Sequence, residues 1–300
     1  MKKVIFGALL LLISSSAFSQ EKQDTAWKKG GNFSLQFTQA AYNNWQAGGV
    51  NSISGNGLIK TFANYDKGGK WTWNNDLLMG YGLSYLDTLF TKTDDRLELT
   101  SRVDHKISDK WAMSSMFNFK TQFTNGYQNP GEKEDSLRIS TIFAPAYSML
   151  GIGFTYKPTK KLAAYISPLT AKLTIVNDDT LSAAGAFGVE PGETMRWEVG
   201  GYANITYKTD VAKNVKLESK LELFSNYLDG QASHVDVFGE LLLFMKVNKY
   251  ITANFSFNVA YDHDIKFDTN DDGIIDGPRT QTKEVLGVGF SYDFGHKPKK

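Results

Sequence analysis

The sequence predicts an all-β fold, a transmembrane antiparallel up-and-down β-barrel of about twelve strands. Three observations predict it. The N-terminus has the pattern of an export leader. Apolar and polar side chains then alternate with a two-residue period, and tight connections between the predicted strands alternate with longer ones. The predicted strands exceed the ~5–6 residues usual in soluble sheets and reach the ~9–11 that cross a bilayer at a tilt. A secreted soluble β-protein with one apolar face is the competing interpretation.

The N-terminus, MKKVIFGALLLLISSSAFSQ, has two lysines, an apolar run and small residues before Gln20. This order is typical of a secretory signal peptide, so residues 1–19 are expected to be removed. The apolar run is too short to span a bilayer. The chain has no cysteine, which excludes a lipid-anchored N-terminal Cys and a disulfide framework.

The expected organisation of the exported chain has three parts. Residues 20–30 form a periplasmic segment, residues 31–294 form the transmembrane barrel, and residues 295–300 form a basic tail. The whole chain carries 33 Lys and Arg against 32 Asp and Glu, and the leader holds two of the lysines. This near balance gives no indication of nucleic-acid binding. We expect the protein to lie in a bacterial outer membrane, with lipid as its first partner.

The stretch VKLESKLELF illustrates the alternation. Val215, Leu217, Leu221 and Leu223 share one face, and charged residues share the other. In a closed barrel the apolar face contacts lipid and the charged face lies in the lumen. The same rule places charges of both signs in the lumen, namely Arg96, Glu98, Arg102, Asp104, Arg196, Glu198, Lys216, Glu218, Lys220, Glu222, Asp236 and Glu240.

The connections also follow the rule for outer-membrane barrels, short on the periplasmic side and long outside. Tight turns are expected at 65–70, 108–110, 158–161, 210–214 and 248–250, and longer loops at 88–94, 125–144, 177–193 and 266–278. Aromatic residues such as Trp71 and Trp111 gather at the strand ends, as expected for two interfacial girdles. The segment LSAAGAFG within 177–193 is either a short helix folded into the mouth or a surface loop.

The loop DTNDDGIID resembles part of an EF-hand calcium loop. Asp268, Asn270, Asp272, the carbonyl of Ile274 and Asp276 match ligand positions, but Arg279 stands where a bidentate Glu would complete the site. The sequence therefore predicts weak calcium binding at most, and the alternative is a polar surface loop without an ion. We expect no other cofactor.

Enzyme motifs are largely missing, so the sequence predicts a protein that is not an enzyme. Ser101 and His105 share a face, but four strand residues separate them by roughly 13 Å, too far for proton transfer. His234, His263 and His296 fall near loops or the tail without metal-ligand spacing.

The segment NWQAGGVNS carries a signature formed by Asn44, Trp45, Gly48, Gly49, Asn51 and Ser52. With the later stretches WTWNNDLLMGYGLSY and ISPLTAKLTIV, it resembles a family of uncharacterised outer-membrane barrels from Bacteroidetes-type bacteria. The resemblance covers essentially the whole exported chain. It implies an exported barrel and assigns no activity.

Three functions follow from these observations. The first is a narrow channel for small solutes, suggested by the polar lumen face. The second is a non-conducting structural or accessory barrel that binds other envelope components through its long loops. The third, a lipid-active enzyme, is disfavoured because no catalytic triad is found.

Overall fold

The computed structural model describes residues 26–40, 52–86, 89–127, 138–228, 233–248, 250–267 and 277–295. Twelve strands form one closed antiparallel barrel, which confirms the predicted fold and strand number. The barrel strands are Trp27–Ala40 (β1), Ser52–Asp66 (β2), Trp71–Leu86 (β3), Leu89–Lys106 (β4), Trp111–Thr121 (β5), Ala146–Tyr156 (β8), Leu162–Ile175 (β9), Met195–Ala212 (β10), Val215–Asn226 (β11), Val235–Lys246 (β12), Ile251–Tyr261 (β13) and Gln281–Gly295 (β16).

Four further strands form two small hairpins outside the barrel wall. They are Gly126–Tyr127 (β6) with Arg138–Ser140 (β7), and Lys266–Phe267 (β14) with Gly277–Pro278 (β15). A short helix, Asp179–Ala183 (α1), is followed by a 3-10 turn at Ala186–Gly188. Within the described residues, no helix is both long enough and apolar enough to span a membrane.

Each barrel strand pairs with its neighbour along the wall, and β1 closes the barrel by pairing with β16 from Gly30↔Gly295 to Phe37↔Val288. Closure gives the backbone N–H and C=O groups of the first and last strands a partner, which an open sheet would leave unpaired at its edges. Short turns lie at one end of the barrel, and both barrel termini lie at this same end, because Trp27 pairs with Tyr65 beside the β2–β3 turn.

The predicted alternation of short and long connections is confirmed with one exception. A long loop was expected at 88–94, but Leu89–Asp94 belongs to β4 and only 87–88 separates β3 from β4. The alternation that predicts a strand is interrupted here by a β-bulge. Gly82 pairs with Asp94 and Leu83 pairs with Lys92, so Thr93 is an extra residue that reverses the side-chain parity of the strand.

The barrel boundaries also differ from the expected ones. The first strand begins at Trp27, inside the segment 20–30 that was expected to precede the barrel, and the last strand ends at Gly295. Trp27 is held to the wall by aromatic contacts, with ring centroids 5.3 Å from Tyr65 and 5.7 Å from Trp73. The signal peptide expected at residues 1–19 lies outside the described residues.

The outer face of the barrel is apolar. Large apolar side chains that alternate along the strands are exposed, among them Ile152 (56%), Trp197 (64%) and Phe290 (58%). The alternate positions point into the barrel, where buried Ser, Thr, Asp, Glu and Lys residues predominate. This arrangement reverses that of a soluble protein and is the one expected for a barrel surrounded by lipid.

The less regular alternation at 162–176 has a local cause. Between Ile152↔Leu169 and Phe154↔Ile166 the register shifts, and Pro168 lies in this bulge. A proline has no N–H to donate and is tolerated where ladder pairing is interrupted. The bulge moves the inward positions from Tyr165 and Ser167 to Thr170 and Lys172, so a strict two-residue period fails across it.

We expect Ile152→Arg, in the middle of β8 on the apolar face, to destabilise the folded barrel by about 2–4 kcal/mol in lipid vesicles. Met195→Arg is the matched control, because Met195 is equally exposed (54%) but begins β10 at the barrel rim. Its cost should be only about 0–1 kcal/mol. Urea titration of the vesicle-bound protein measures both values, and equal costs at the two positions would contradict a lipid-facing wall.

Candidate functional site in the barrel lumen

A cluster of four charged residues lies in the barrel lumen, and we call it the central ion-pair layer. It consists of Glu98 on β4, Lys120 on β5, and Lys220 and Glu222 on β11. Lys220 Nζ lies 2.9 Å from Glu98 Oε1, and Lys120 Nζ lies 2.6 Å from Glu222 Oε2. The remaining contacts, Lys220–Glu222 at 3.3 Å and Lys120–Glu98 at 3.8 Å, close the cluster into a ring of alternating charge.

Neutral side chains complete the hydrogen bonding of the layer. Tyr202 donates its hydroxyl hydrogen to Glu222 Oε1 at 2.5 Å, and Asn204 donates to the same oxygen at 3.3 Å. Asn118 donates to Glu98 at 3.2 Å. Buried charges are tolerated only when such partners replace water. The layer is therefore a connected polar network, in which Asn118 Oδ1 has no hydrogen-bond partner among the described residues.

Several ion pairs join strands that are not neighbours. Arg96 on β4 contacts Glu240 on β12 at 3.1 Å, although these strands lie six apart in either direction around the barrel. Lys60 on β2 contacts Glu218 on β11 at 3.3 Å, five strands away by the shorter path. Pairs of this kind must cross the interior, since their strands share no edge. They connect opposite walls and occupy the lumen.

A second cluster lies nearer the long loops. Lys172 contacts Glu198 at 3.2 Å and Asp236 at 3.1 Å, while Arg196 contacts Glu198 at 3.5 Å and Asp264 at 2.7 Å. Glu198 is almost fully buried. Two cations therefore hold this buried carboxylate from either side and tie β9, β10 and β12 together.

A third group of pairs lies towards the short turns. Arg102 Nε contacts Asp104 at 2.9 Å, and Lys216 contacts Glu218 at 3.0 Å. With the central ion-pair layer, the second cluster and the Arg96–Glu240 pair, these contacts give an oppositely charged partner to each of the twelve charged residues that the sequence assigned to the lumen. The sequence did not single out Lys60 and Lys172, because the alternation in β2 and β9 is less regular.

A cavity of about 670 Å³ lies in the lumen. Glu98, Lys120 and Glu222 of the central ion-pair layer line it, Phe244 and Asn254 line it towards the short turns, and Phe187, Ile265 and Gln281 line it towards the mouth. Such a volume falls within the range of small-molecule sites, about 300–1,000 Å³.

The segment after β9 folds over one side of the mouth. The side chain of Asp178 accepts a hydrogen bond from the backbone N–H of Leu181 at 3.0 Å and so caps α1. Leu181 packs with Ala144, Val176 and Val189 in a small apolar cluster, and Phe187 packs against it and reaches the cavity. Of the two alternatives for LSAAGAFG, the structure shows the short helix.

Two predicted groups fall outside the described residues. They are the calcium candidates Asp268, Asn270, Asp272, Ile274 and Asp276, and the signature residues Asn44, Trp45, Gly48, Gly49 and Asn51. Ser52, the last signature residue, begins β2 opposite Leu86. Within the described ranges, no three His, Asp or Glu residues are arranged to hold a metal ion.

The serine and histidine considered for lipid hydrolysis have other partners. Ser101 accepts a hydrogen bond from Trp73 Nε1 and donates one to Asn75, both at 2.8 Å. The His105 ring packs against Trp71, with centroids 4.5 Å apart. His234 and His263 stack on each other with centroids 3.6 Å apart. None of these contacts joins a serine to a histidine.

Several solved structures are similar to this chain. The translocator domain of autotransporter NalP from Neisseria meningitidis is 13% identical, with a TM-score of 0.41, over 97% of this chain and 95% of that chain. An outer-membrane channel from Pseudomonas putida F1 is 12% identical, with a TM-score of 0.42, over 92% and 100%. Outer membrane phospholipase A from Escherichia coli is 8% identical, with a TM-score of 0.38, over 91% and 93%. Likenesses this distant assign no activity.

A family model described as "Protein of unknown function (DUF3078)" matches residues 37–127, from the end of β1 to β6. This match agrees with a resemblance to an uncharacterised family. It does not test the Bacteroidetes-type origin or the signature. No curated protein sequence matches the chain.

We expect Glu222→Leu to cost about 3–5 kcal/mol of unfolding free energy, because it leaves the two buried ammonium groups of Lys120 and Lys220 with the single carboxylate of Glu98. The double variant Glu222→Leu/Lys120→Met should cost less than the single one, since Lys220 and Glu98 remain as a balanced pair. Urea unfolding in vesicles measures both, with Lys213→Met in the exposed β10–β11 turn as a control. A double variant that is no more stable than the single one would refute coupling within the layer.

Burial raises the pKa of Asp262, which follows β13 at the mouth, and the carboxylate of Asp236 acts in the same direction while Lys172 opposes it. A raised pKa in the folded state means that this carboxyl favours folding when protonated and that the contribution is lost as pH rises. Asp262→Asn should therefore raise the thermal unfolding midpoint at neutral pH.

The same variant should have a smaller effect below pH 3.8, the ordinary carboxyl value. The exposed Asp210→Asn serves as the control and should behave alike at both pH values. A gain from Asp262→Asn that grows in acid would contradict the assignment.

Proposed function

We propose that this chain is an integral outer-membrane β-barrel protein whose resting lumen is closed, so that it acts as a structural or binding barrel of the envelope. The apolar outer face supports insertion in lipid. Exposed aromatic residues near the short turns, including Trp71, Trp111 and Tyr250, suit one membrane interface, and Phe90 and Tyr227 suit the other.

The observation that carries the closed state is the set of ion pairs across the lumen. Glu98–Lys220, Lys120–Glu222 and Arg96–Glu240 each join strands four to six places apart around the barrel. A polar solute would have to displace these side chains to pass. Separating a buried pair costs several kcal/mol, so bulk diffusion through this layer is strongly disfavoured.

The second candidate is a narrow channel for small solutes. The cavity supports it, because an open volume already extends from the mouth to the central ion-pair layer. In this candidate the layer works as a gate. The third candidate, lipid hydrolysis, gains no support from Ser101 or His105. Ser101 is hydrogen-bonded to Trp73 and Asn75, and His105 packs on Trp71.

Planar-bilayer recording distinguishes the first two candidates. The wild type is expected to give no discrete conductance. The variant Glu98→Ala/Lys120→Ala/Lys220→Ala/Glu222→Ala keeps the net charge, removes the layer and should give discrete steps that grow with salt concentration. Lys106→Ala/Asp109→Ala, which removes an ion pair of 2.8 Å at an exposed turn, is the charge-matched control and should stay silent.

Discrete steps from the wild type would reject the closed barrel in favour of the narrow channel. Silence from the layer variant, with correct folding shown by heat-modifiable migration, would mean that the layer is not the obstruction. Recovery of the wild type in the aqueous fraction after membranes are pelleted would reject the membrane location itself.

A further inference from the structure

One wall of the lumen cavity carries uncharged polar side chains. Its members come from four consecutive strands, β13, β16, β1 and β2, and are Gln36, Asn56, Asn254, Ser256, Asn258 and Gln281. Among the described residues, none of these six side chains forms a hydrogen bond with any other residue. Asn254 Oδ1 is buried without a partner. The unpaired amide and hydroxyl groups that line the cavity can therefore donate to or accept from a guest.

The neighbouring wall is apolar and largely aromatic. It is formed by Leu58, Phe224, Phe238, Leu242 and Phe244. Three of the rings lie beside ammonium groups, Phe224 at 4.6 Å from Lys172, Phe238 at 5.2 Å from Lys120, and Phe244 at 5.8 Å from Lys60. These contacts hold the rings in place, because each lysine is itself fixed in an ion pair.

Each cation that lines the cavity is already paired with a carboxylate. Its four cations are Arg96, Lys120, Lys172 and Lys283, and each contacts a carboxylate at 3.1 Å or less. Six carboxylates also line it, so carboxylates outnumber cations. An anionic guest would meet no free cation and would have to break an existing pair. The lining therefore favours a neutral guest over an anionic one.

The guest must also have two kinds of surface. Its hydroxyl or amide groups would bond to the carboxamide wall, and a flat apolar face of C–H groups would pack on the rings. A neutral sugar has this combination, since its hydroxyls lie at the ring edge and its C–H groups lie on the ring faces. A fatty acid lacks the first feature and adds a charge, and a simple hydrocarbon would leave the carboxamides unbonded.

We infer that the lumen cavity is a binding site for a small neutral saccharide, held between the carboxamide wall and the aromatic wall. The site depends on the barrel fold and the cavity lining. It does not depend on whether the lumen conducts, so it goes beyond the function proposed above.

Saturation-transfer NMR on the purified full chain tests this inference. The detergent must have no sugar headgroup, because a glycoside would compete for the site. The probes are maltose, sucrose and N-acetylglucosamine, with octanoate as an anionic amphiphile and sialic acid as an anionic sugar. At least one neutral sugar should bind saturably, and both anions should bind less well.

Phe244→Leu and Asn254→Leu should each weaken the binding of that sugar by about fivefold or more, the loss expected for one packing contact or hydrogen bond. Phe62→Leu is the matched control, because Phe62 has the same inward parity on β2 but does not line the cavity, and it should leave affinity unchanged. Gln281→Leu at the exposed mouth provides a second lining variant if a central one fails to fold.

Three results would overturn the inference. The first is that no neutral sugar in the panel binds the folded wild type. The second is binding that the lining variants leave unchanged while the protein keeps its heat-modifiable migration. The third is preference for octanoate or sialic acid over every neutral sugar.

Discussion

The structure depends on one constraint, that backbone groups within hydrocarbon must be bonded inside the protein. A sheet satisfies it only by closing, and here the pairing of β1 with β16 closes it. Closure creates an interior that lipid cannot reach, so every second side chain leaves the apolar environment. Residues such as Glu222 and Lys120 can then lie at membrane depth, provided that each finds an opposite charge.

The distribution of charge within the interior follows from that requirement. A charged side chain in a partly filled lumen contacts little water, so it is stabilised by the nearest opposite charge, whether or not that charge lies on an adjacent strand. Arg96 contacts Glu240 across the lumen, and Lys60 contacts Glu218 in the same way. The pairs that satisfy the charges thus also fill the lumen. A cavity of about 670 Å³ remains beside these pairs and reaches the long loops.

The alternation in the sequence was sufficient to predict the barrel, its strand number and the residues that face the lumen on β4 and β11. It was insufficient wherever a bulge reversed the parity. The bulge at Thr93 interrupts the alternation near the start of β4, and the bulge at Pro168 changes which residues of β9, including Lys172, point inward. The pairing across the lumen could not be predicted at all, because it depends on the closure and shear of the whole ring. The apolar wall around Phe244 was missed for a related reason, since an inward aromatic breaks the simple rule of polar side chains inside.

The paired charges also limit which guest the cavity can accept. An anion that competed for Lys120 would have to leave Glu222 without its closest cation, and the cost of breaking such a buried pair is about 3–5 kcal/mol. A neutral molecule meets no such cost, because it needs only the carboxamides of β13 and its neighbours, whose hydrogen-bonding capacity is unused among the described residues. The ion pairs that obstruct the lumen therefore also favour neutral ligands over anionic ones, and the two properties share one physical cause.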